Sequence, residues 1–140
     1  MKTRKVSVHL RSVIDGEETN YAYQGEYRQK NDAHCIVYTD YAGNALTKVA
    51  IEATESAMLL HRAGGITADM LFDPLTETVV NYNALSLRRG FLLHTDAYRL
   101  TPQENGIRID SEYRLSDGSG EPEIRGTQEI TIFILEETNL

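Results

Sequence analysis

Hydrophobic and polar residues alternate with a period of two along most of this chain. A strand turns successive side chains to opposite faces, so the pattern predicts strands with one buried face. Val6, Val8 and Leu10 share a face, with Ser7, His9 and Arg11 on the other. Asp15-Gly16-Glu17 is a turn signal. Tyr21, Tyr23, Gly25 and Tyr27 then alternate with Ala22, Gln24, Glu26 and Arg28, which predicts a hairpin with the first strand.

The same reading continues to the end. His34 to Tyr41 is apolar on both parities, as in a strand covered on both faces. Turns are predicted at Asn31-Asp32, Ala42-Gly43-Asn44, Thr54-Glu55-Ser56, Gly64-Gly65 and Asp73-Pro74. Between them Thr47 to Glu52, Ala57 to Ala63 and Ile66 to Phe72 read as strands. Helix formers between Ala53 and Ala63 offer a competing helix, but the apolar residues are consecutive and Gly64-Gly65 follows at once. Thr76 to Tyr82 is strand-like, and Asn81 to Arg89 reads either as a loop or as a short strand on Leu85 and Leu87. After Gly90, Phe91 to Tyr98 alternates; Pro102 to Gly106 is a hairpin turn ending in Asn-Gly. Ile107, Ile109, Ser111, Tyr113 and Leu115 form one face of the next strand. Ser116 to Pro122 is a loop, and Ile124 to Leu135 is the last strand. About ten strands joined mostly by short turns predict an all-β fold: one antiparallel, mostly up-and-down barrel of about 8–10 strands, with residues 1–140 forming a single domain. Closure removes the exposed edges that an open sheet of this size presents.

Composition narrows the function classes. With 41% hydrophobic and 25% charged residues, the chain is in the globular range. No apolar run approaches the roughly 20 residues of a membrane-spanning helix, so no membrane association is expected. The basic start at Lys2, Arg4 and Lys5 is followed by alternation rather than an apolar core, which does not read as an export signal. Cys35 is the single cysteine, so no internal disulfide forms; a cytoplasmic setting is expected. A net charge of −7 opposes general nucleic-acid binding. Arg88 and Arg89, like the N-terminal cluster, read as solubilising charge at strand ends.

No catalytic motif is present. His9, His34, His61 and His94 do not fall at metal-ligand spacing, so neither a metal nor a cofactor is expected. Cys35 in an apolar strand reads as a buried, inert thiol. Ser119 in Gly118-Ser119-Gly120 lacks the strand-to-helix context of a nucleophile elbow. Gly64-Gly65 lacks the lysine and helix start of a phosphate loop.

Arg62 stands out because it sits in the apolar strand Met58 to Ala63. If it points inward it is a planar, bidentate anchor for an anion; otherwise it reaches solvent at the strand end or pairs with an internal carboxylate. The tyrosines bring apolar area with a polar tip, which suits either a ligand lining or a plain barrel core. Arg62, Tyr23, Tyr38, Tyr82 and Tyr113 are therefore the candidate ligand-binding residues, and none is assigned a catalytic role.

The order of several weak motifs resembles the YwiB-like proteins, a bacterial family of unknown function. They are Val6-x-Val8, Gly25, Tyr38, Arg62-x-Gly64, Met70-x-Phe72, Gly90 before the strand holding Thr95, and Tyr113-x-Leu115. The resemblance covers roughly residues 5 to 134 and implies a calycin-like, lipocalin-like β-barrel, with no established activity or catalytic residues to carry over. Where such proteins have a tyrosine followed by a Thr-Pro-aromatic-Gly turn, this chain has Tyr82-Asn83-Ala84-Leu85-Ser86-Leu87-Arg88-Arg89-Gly90, so the resemblance says nothing of that turn's geometry. Three function classes follow. The first is a barrel holding a small anionic or amphipathic molecule. The second is an interaction or structural module with a packed barrel, as a homo-oligomer. The third, an enzyme of unrecognised type, would need clustered ionisable groups in a cleft.

Overall fold

In a computed structural model of the protein, which describes residues 3–41, 46–84, 87–117 and 123–135, every regular element is a strand. They are β1 (Arg4–Ile14), β2 (Glu17–Lys30), β3 (Ala33–Asp40), β4 (Thr47–Ala53), β5 (Met58–Gly64), β6 (Ile66–Phe72), β7 (Thr78–Ala84), β8 (Leu87–Gln103), β9 (Gly106–Ser116) and β10 (Ile124–Ile134). Each pairs antiparallel with its sequence neighbours, and β1 pairs with β10, so the sheet closes into a calycin-like, up-and-down barrel. The first hairpin shows how local chemistry sets this topology. Ile14 faces Glu17, leaving a two-residue loop of Asp15 (φ +49°) and Gly16 (φ +87°). Positive φ at both positions matches the twist of flanking strands, and Asp-Gly adopts it at low cost.

Directly paired residues present their side chains to the same face. The inner face can therefore be followed from strand to strand: Val6 faces Gly25, Gly25 faces Tyr38, Tyr38 faces Val49, and Val49 faces Arg62. On the other side of β1, Val6, Val8 and Leu10 face Ile134, Ile132 and Ile130. Side chains fill the middle of the barrel. Ile36, Ile51, Met58, Phe72, Leu93, Ile109, Ile130 and Ile132 are all buried to 2% exposure or less. At roughly 25 cal/mol per Å² of buried apolar area, this interior is the main source of the fold's stability.

Two irregularities shape the inner wall. At Gly126 an added Cβ would lie 2.5 Å from Cζ of Tyr113, so only glycine lets that ring lie against β10. Between Thr95 and Ala97 the β8–β9 register shifts, a bulge that adds Asp96 to β8. Asp96 faces outward, where Arg114 donates hydrogen bonds to it at 3.0 Å, while Thr95 stays inside opposite Tyr113.

The strand reading after Ala53 holds, and two other sequence expectations need adjustment. The segment after Ala53 forms no helix: Met58, Leu60 and Arg62 face inward, and the run looks continuously apolar because Leu59, facing outward, pairs with Leu71. Gly90 does not precede a strand but lies within β8, opposite Asn81, since ladder hydrogen bonds need no side chain. The late hairpin turns on Glu104 and Asn105, with Gly106 already in β9 opposite Gln103. The expected Ala42-Gly43-Asn44 turn, Leu85 and the Ser119 loop lie outside the described residues.

Candidate functional site

The up-and-down order places the β1–β2, β3–β4, β5–β6, β7–β8 and β9–β10 connections at one end of the barrel. Arg62 lies near that end, two residues before Gly64 on β5, between Val49 on β4 and Ala68 on β6. Arg62 is half-buried there. Its Nε is buried and has no hydrogen-bond partner among the described residues. Burial without a partner is costly for any polar group and most of all for a charged one.

Tyrosines surround this arginine. Tyr38 on β3 is 4% exposed and Tyr113 on β9 is 6% exposed, and the Arg62 charge acts on both phenols. Tyr38 stacks on Tyr23 with ring centroids 4.6 Å apart, and Tyr23 stacks in turn on Tyr21 at 6.1 Å. The Tyr23 hydroxyl is hydrogen-bonded to the Asp40 carboxylate at the end of β3. Tyr113 meets Phe72 edge-on at 5.3 Å. Tyr82 is half-buried against the core from β7, opposite Arg89. All five residues singled out from the sequence therefore face inward. The fold brings Arg62, Tyr38 and Tyr113 together, adds Tyr23 through its stack on Tyr38, and gives Tyr82 the same interior with no hydrogen bond to the others among the described residues.

Three further inner residues escaped the sequence reading. Thr95 Oγ1, Ser111 Oγ and Gln128 Nε2 are buried without partners among the described residues. A signal was present, since Thr95 and Ser111 fall on the apolar parity of their strands. What the sequence lacked was their burial, at 2% and 3% exposure, and the absence of a partner.

Burial sets the protonation of this interior. It pushes the Tyr38 phenol up to about 12, a rise that Arg62 partly offsets and Asp40 reinforces. Burial, together with the Asp40 carboxylate, also raises Tyr23, and burial raises Tyr113 against the pull of Arg62. On β8, Tyr98 donates a 2.7 Å hydrogen bond to the carbonyl of Thr54, and burial pushes it up to about 12. These phenols are neutral in the fold, while in the unfolded chain they ionise near pH 10. Stability is then fully present below about pH 10 and is lost as pH rises toward about 12, with a slope of about 1.4 kcal/mol per pH unit for a fully buried phenol such as Tyr38. Tyrosinate absorbance followed alongside circular dichroism is expected to show late-titrating phenols that ionise together with unfolding. Ionisation of all eight tyrosines near pH 10 with the fold intact would contradict it.

Elsewhere the polar groups are satisfied or open to water. Tyr27 and His34 share a 2.7 Å hydrogen bond at the opposite end, where burial lowers the imidazole's basicity. His61 and Asp69 are exposed and hydrogen-bonded to each other. Cys35 contributes to a groove of about 320 Å³ on the outside of β2–β5, beside Glu52, Leu59 and His61. No group of three or more metal-ligating side chains occurs among the described residues. Nor is any helix among them long and apolar enough to cross a membrane.

Comparison with known proteins agrees with this architecture. The family model described as "Domain of unknown function (DUF1934)" matches residues 6–132. The chain belongs to this family. The crystal structure of the ywiB protein from Bacillus subtilis superposes with a TM-score of 0.84, covering 96% of this chain and 94% of that one at 20% sequence identity. At that identity the likeness shows a shared fold. No curated protein matches in sequence. DUF1934 thus supplies the YwiB-like barrel, and its description names no activity.

Proposed function

We infer that this DUF1934 barrel is a binding module that takes a small organic anion at the Arg62 end of its interior. One observation carries the reading: the buried Arg62 Nε has no partner among the described residues. A guanidinium presents parallel N–H donors that match a carboxylate, and Nε is one of the two that make such a fork. The Tyr38 and Tyr113 phenols, kept neutral by burial, are hydrogen-bond donors beside it. The Tyr23–Tyr38 stack supplies flat apolar area for the rest of the molecule. A cytoplasmic location goes with this reading, because the single Cys35 can form no internal disulfide.

A second reading is favoured by the outer surface. Val79 is 64% exposed and Leu59 38%, and the neighbouring strands carry Leu92 and Leu71 outward opposite them. An apolar outer stripe of this kind suits an interaction module or a homo-oligomer, with the barrel serving as packed support. Native mass spectrometry of gently purified protein, followed by denaturing mass spectrometry, separates the two. A stoichiometric small molecule released on denaturation is the expected result. A clean, ligand-free mass counts against the binding barrel, and the same mass as a dimer favours the interaction module.

A further inference from the structure

Closing the sheet gives every strand a neighbour on each side, but not along its whole length. β8 overhangs β7: their ladder ends at Thr78 and Leu93, so His94 to Gln103 pair with β9 alone among the described residues. β2 overhangs β3 in the same way. The β2–β3 ladder begins at Gly25 and Tyr38, so Glu17 to Tyr23 pair with β1 alone among the described residues. A bare strand edge offers unpaired N–H and C=O groups to another strand, and folded proteins blunt such edges. The β8 overhang is blunted. Pro102 lacks an N–H, the bulge at Asp96 interrupts the ladder, and the Tyr98 hydroxyl ties the stretch to the Thr54 carbonyl at 2.7 Å. The β2 overhang has none of these devices. No proline, lysine or bulge interrupts it, and Glu17 to Ala22 are all exposed. Its charges, Glu17 and Glu18, are beside the turn, where Arg11 and Asn20 both donate hydrogen bonds to Glu18.

The groups that this edge offers follow from its turn. Ile14 and Glu17 close the two-residue hairpin and exchange both backbone bonds, and bonded pairs then alternate along the ladder. Glu17, Thr19, Tyr21 and Tyr23 therefore bond to β1, while Glu18, Asn20 and Ala22 aim their N–H and C=O groups away from it. The next hairpin, closed by Lys30 and Ala33, gives the same phase, with the even-numbered residues of β2 bonded toward β3.

We propose that this edge joins a second copy of the chain, β2 against β2, about a twofold axis at Asn20. The overhang Glu17 to Tyr23 is centred on Asn20, so one antiparallel register pairs all of it with itself. Asn20 meets Asn20, and Glu18 meets Ala22 in both directions. Each of these three pairs exchanges two backbone bonds, which satisfies every group that Glu18, Asn20 and Ala22 aim outward. The register also keeps like charges apart. Glu18 of one copy lies opposite the methyl of Ala22 in the other, and Glu17 lies opposite Tyr23. Tyr21, 47% exposed, comes opposite Thr19 in a non-bonded pair, where side chains approach most closely. Such a contact is the same on both copies, so it closes at two. Pairing β2 with the β8 overhang instead meets Pro102. The interface is separate from the apolar stripe of β5 to β8 and from Arg62.

Sedimentation velocity of the full chain across a dilution series is expected to show a dimer that dissociates on dilution. Ala22→Pro removes an outward N–H and no bond to β1, so the variant is expected to be monomeric throughout with the parent's circular dichroism. Asn20→Asp keeps the side chain's size and its place opposite Arg11, but sets two carboxylates face to face across the axis. It is expected to dissociate at higher concentration than the parent, most of all at low salt. Val79→Lys, on the apolar stripe, is expected to dimerise as the parent does. Amide exchange gives a second readout. Glu18, Asn20 and Ala22 are expected to be protected in the dimer and to lose that protection on dilution, while Thr19 and Tyr21 stay protected throughout. If Ala22→Pro does not fold, Asn20→Asp and this alternation decide the matter. A parent that is monomeric throughout overturns the proposal. So does a dimer in which Glu18, Asn20 and Ala22 exchange freely, or one that Val79→Lys dissociates and Asn20→Asp leaves intact. That last result moves the contact to the outer stripe, and none of these outcomes bears on Arg62 as an anion site.

Discussion

Phe72→Ala is expected to cost about 3–5 kcal/mol of stability, a large share of the roughly 5–15 kcal/mol that a folded domain usually has. Phe72 is 1% exposed at the end of β6. It faces Met58 on β5 and meets the Tyr113 ring from β9, so one side chain ties two separated stretches of wall. Removing it loses apolar burial and opens a cavity that a closed sheet cannot collapse to fill, because every strand is held on both edges. The damage reaches the site as well, since Tyr113 loses the ring that holds it beside Arg62. Urea denaturation of Phe72→Ala against Val79→Ala checks this. Val79 is 64% exposed on the outer face, so its truncation is expected to stay within about 0.5 kcal/mol. Similar losses for the two variants would mean that the interior is not the packed core described above.

Arg62→Met should act in the opposite direction on stability and abolish anion binding. Methionine keeps much of the arginine stem and its packing while removing the buried, unpartnered nitrogen. Exchanging a half-buried arginine with a buried, unpaired Nε for an apolar side chain of similar size is expected to be neutral or favourable, on the order of 1 kcal/mol. That corresponds to a rise of a few degrees in the melting temperature of the ligand-free protein. Arg62→Lys separates charge from geometry: it keeps a cation but loses the planar fork, so weak anion binding is expected to survive. A residue retained at a cost to the empty protein is one selected for something other than folding. Thermal unfolding of Arg62→Met that begins well below the parent would instead make Arg62 a structural part of the wall and remove the basis of the binding proposal.

Much of this fold was written in local patterns. Period-two alternation depends only on neighbouring residues, so most strands from Val6 to Ile134 were legible one by one; Asn81 to Arg89, where β7 ends and β8 begins, was not. Short turns made them sequential antiparallel neighbours, and Asp15-Gly16 named its own hairpin geometry. Even the candidate site was partly visible, because a lone arginine in the apolar strand Met58 to Ala63 has few ways to be satisfied.

The remainder depended on contacts between residues far apart in the chain. β3 is apolar on both parities, and only register against β2 and β4 turns Ile36 and Tyr38 inward and Cys35 and Val37 outward. Closure is decided where Val6 meets Ile134, a contact that no local window contains. The bulge at Asp96 arises because Thr95 must meet Tyr113 while Tyr98 meets Ser111, a mismatch that exists only once β8 and β9 are paired. That Arg62 Nε, Thr95 Oγ1, Ser111 Oγ and Gln128 Nε2 find no partner among the described residues is likewise a property of the assembled barrel. Hydrophobic pattern determines which residues want burial; the register of a closed sheet decides which polar groups are buried with them, and which of those find no partner.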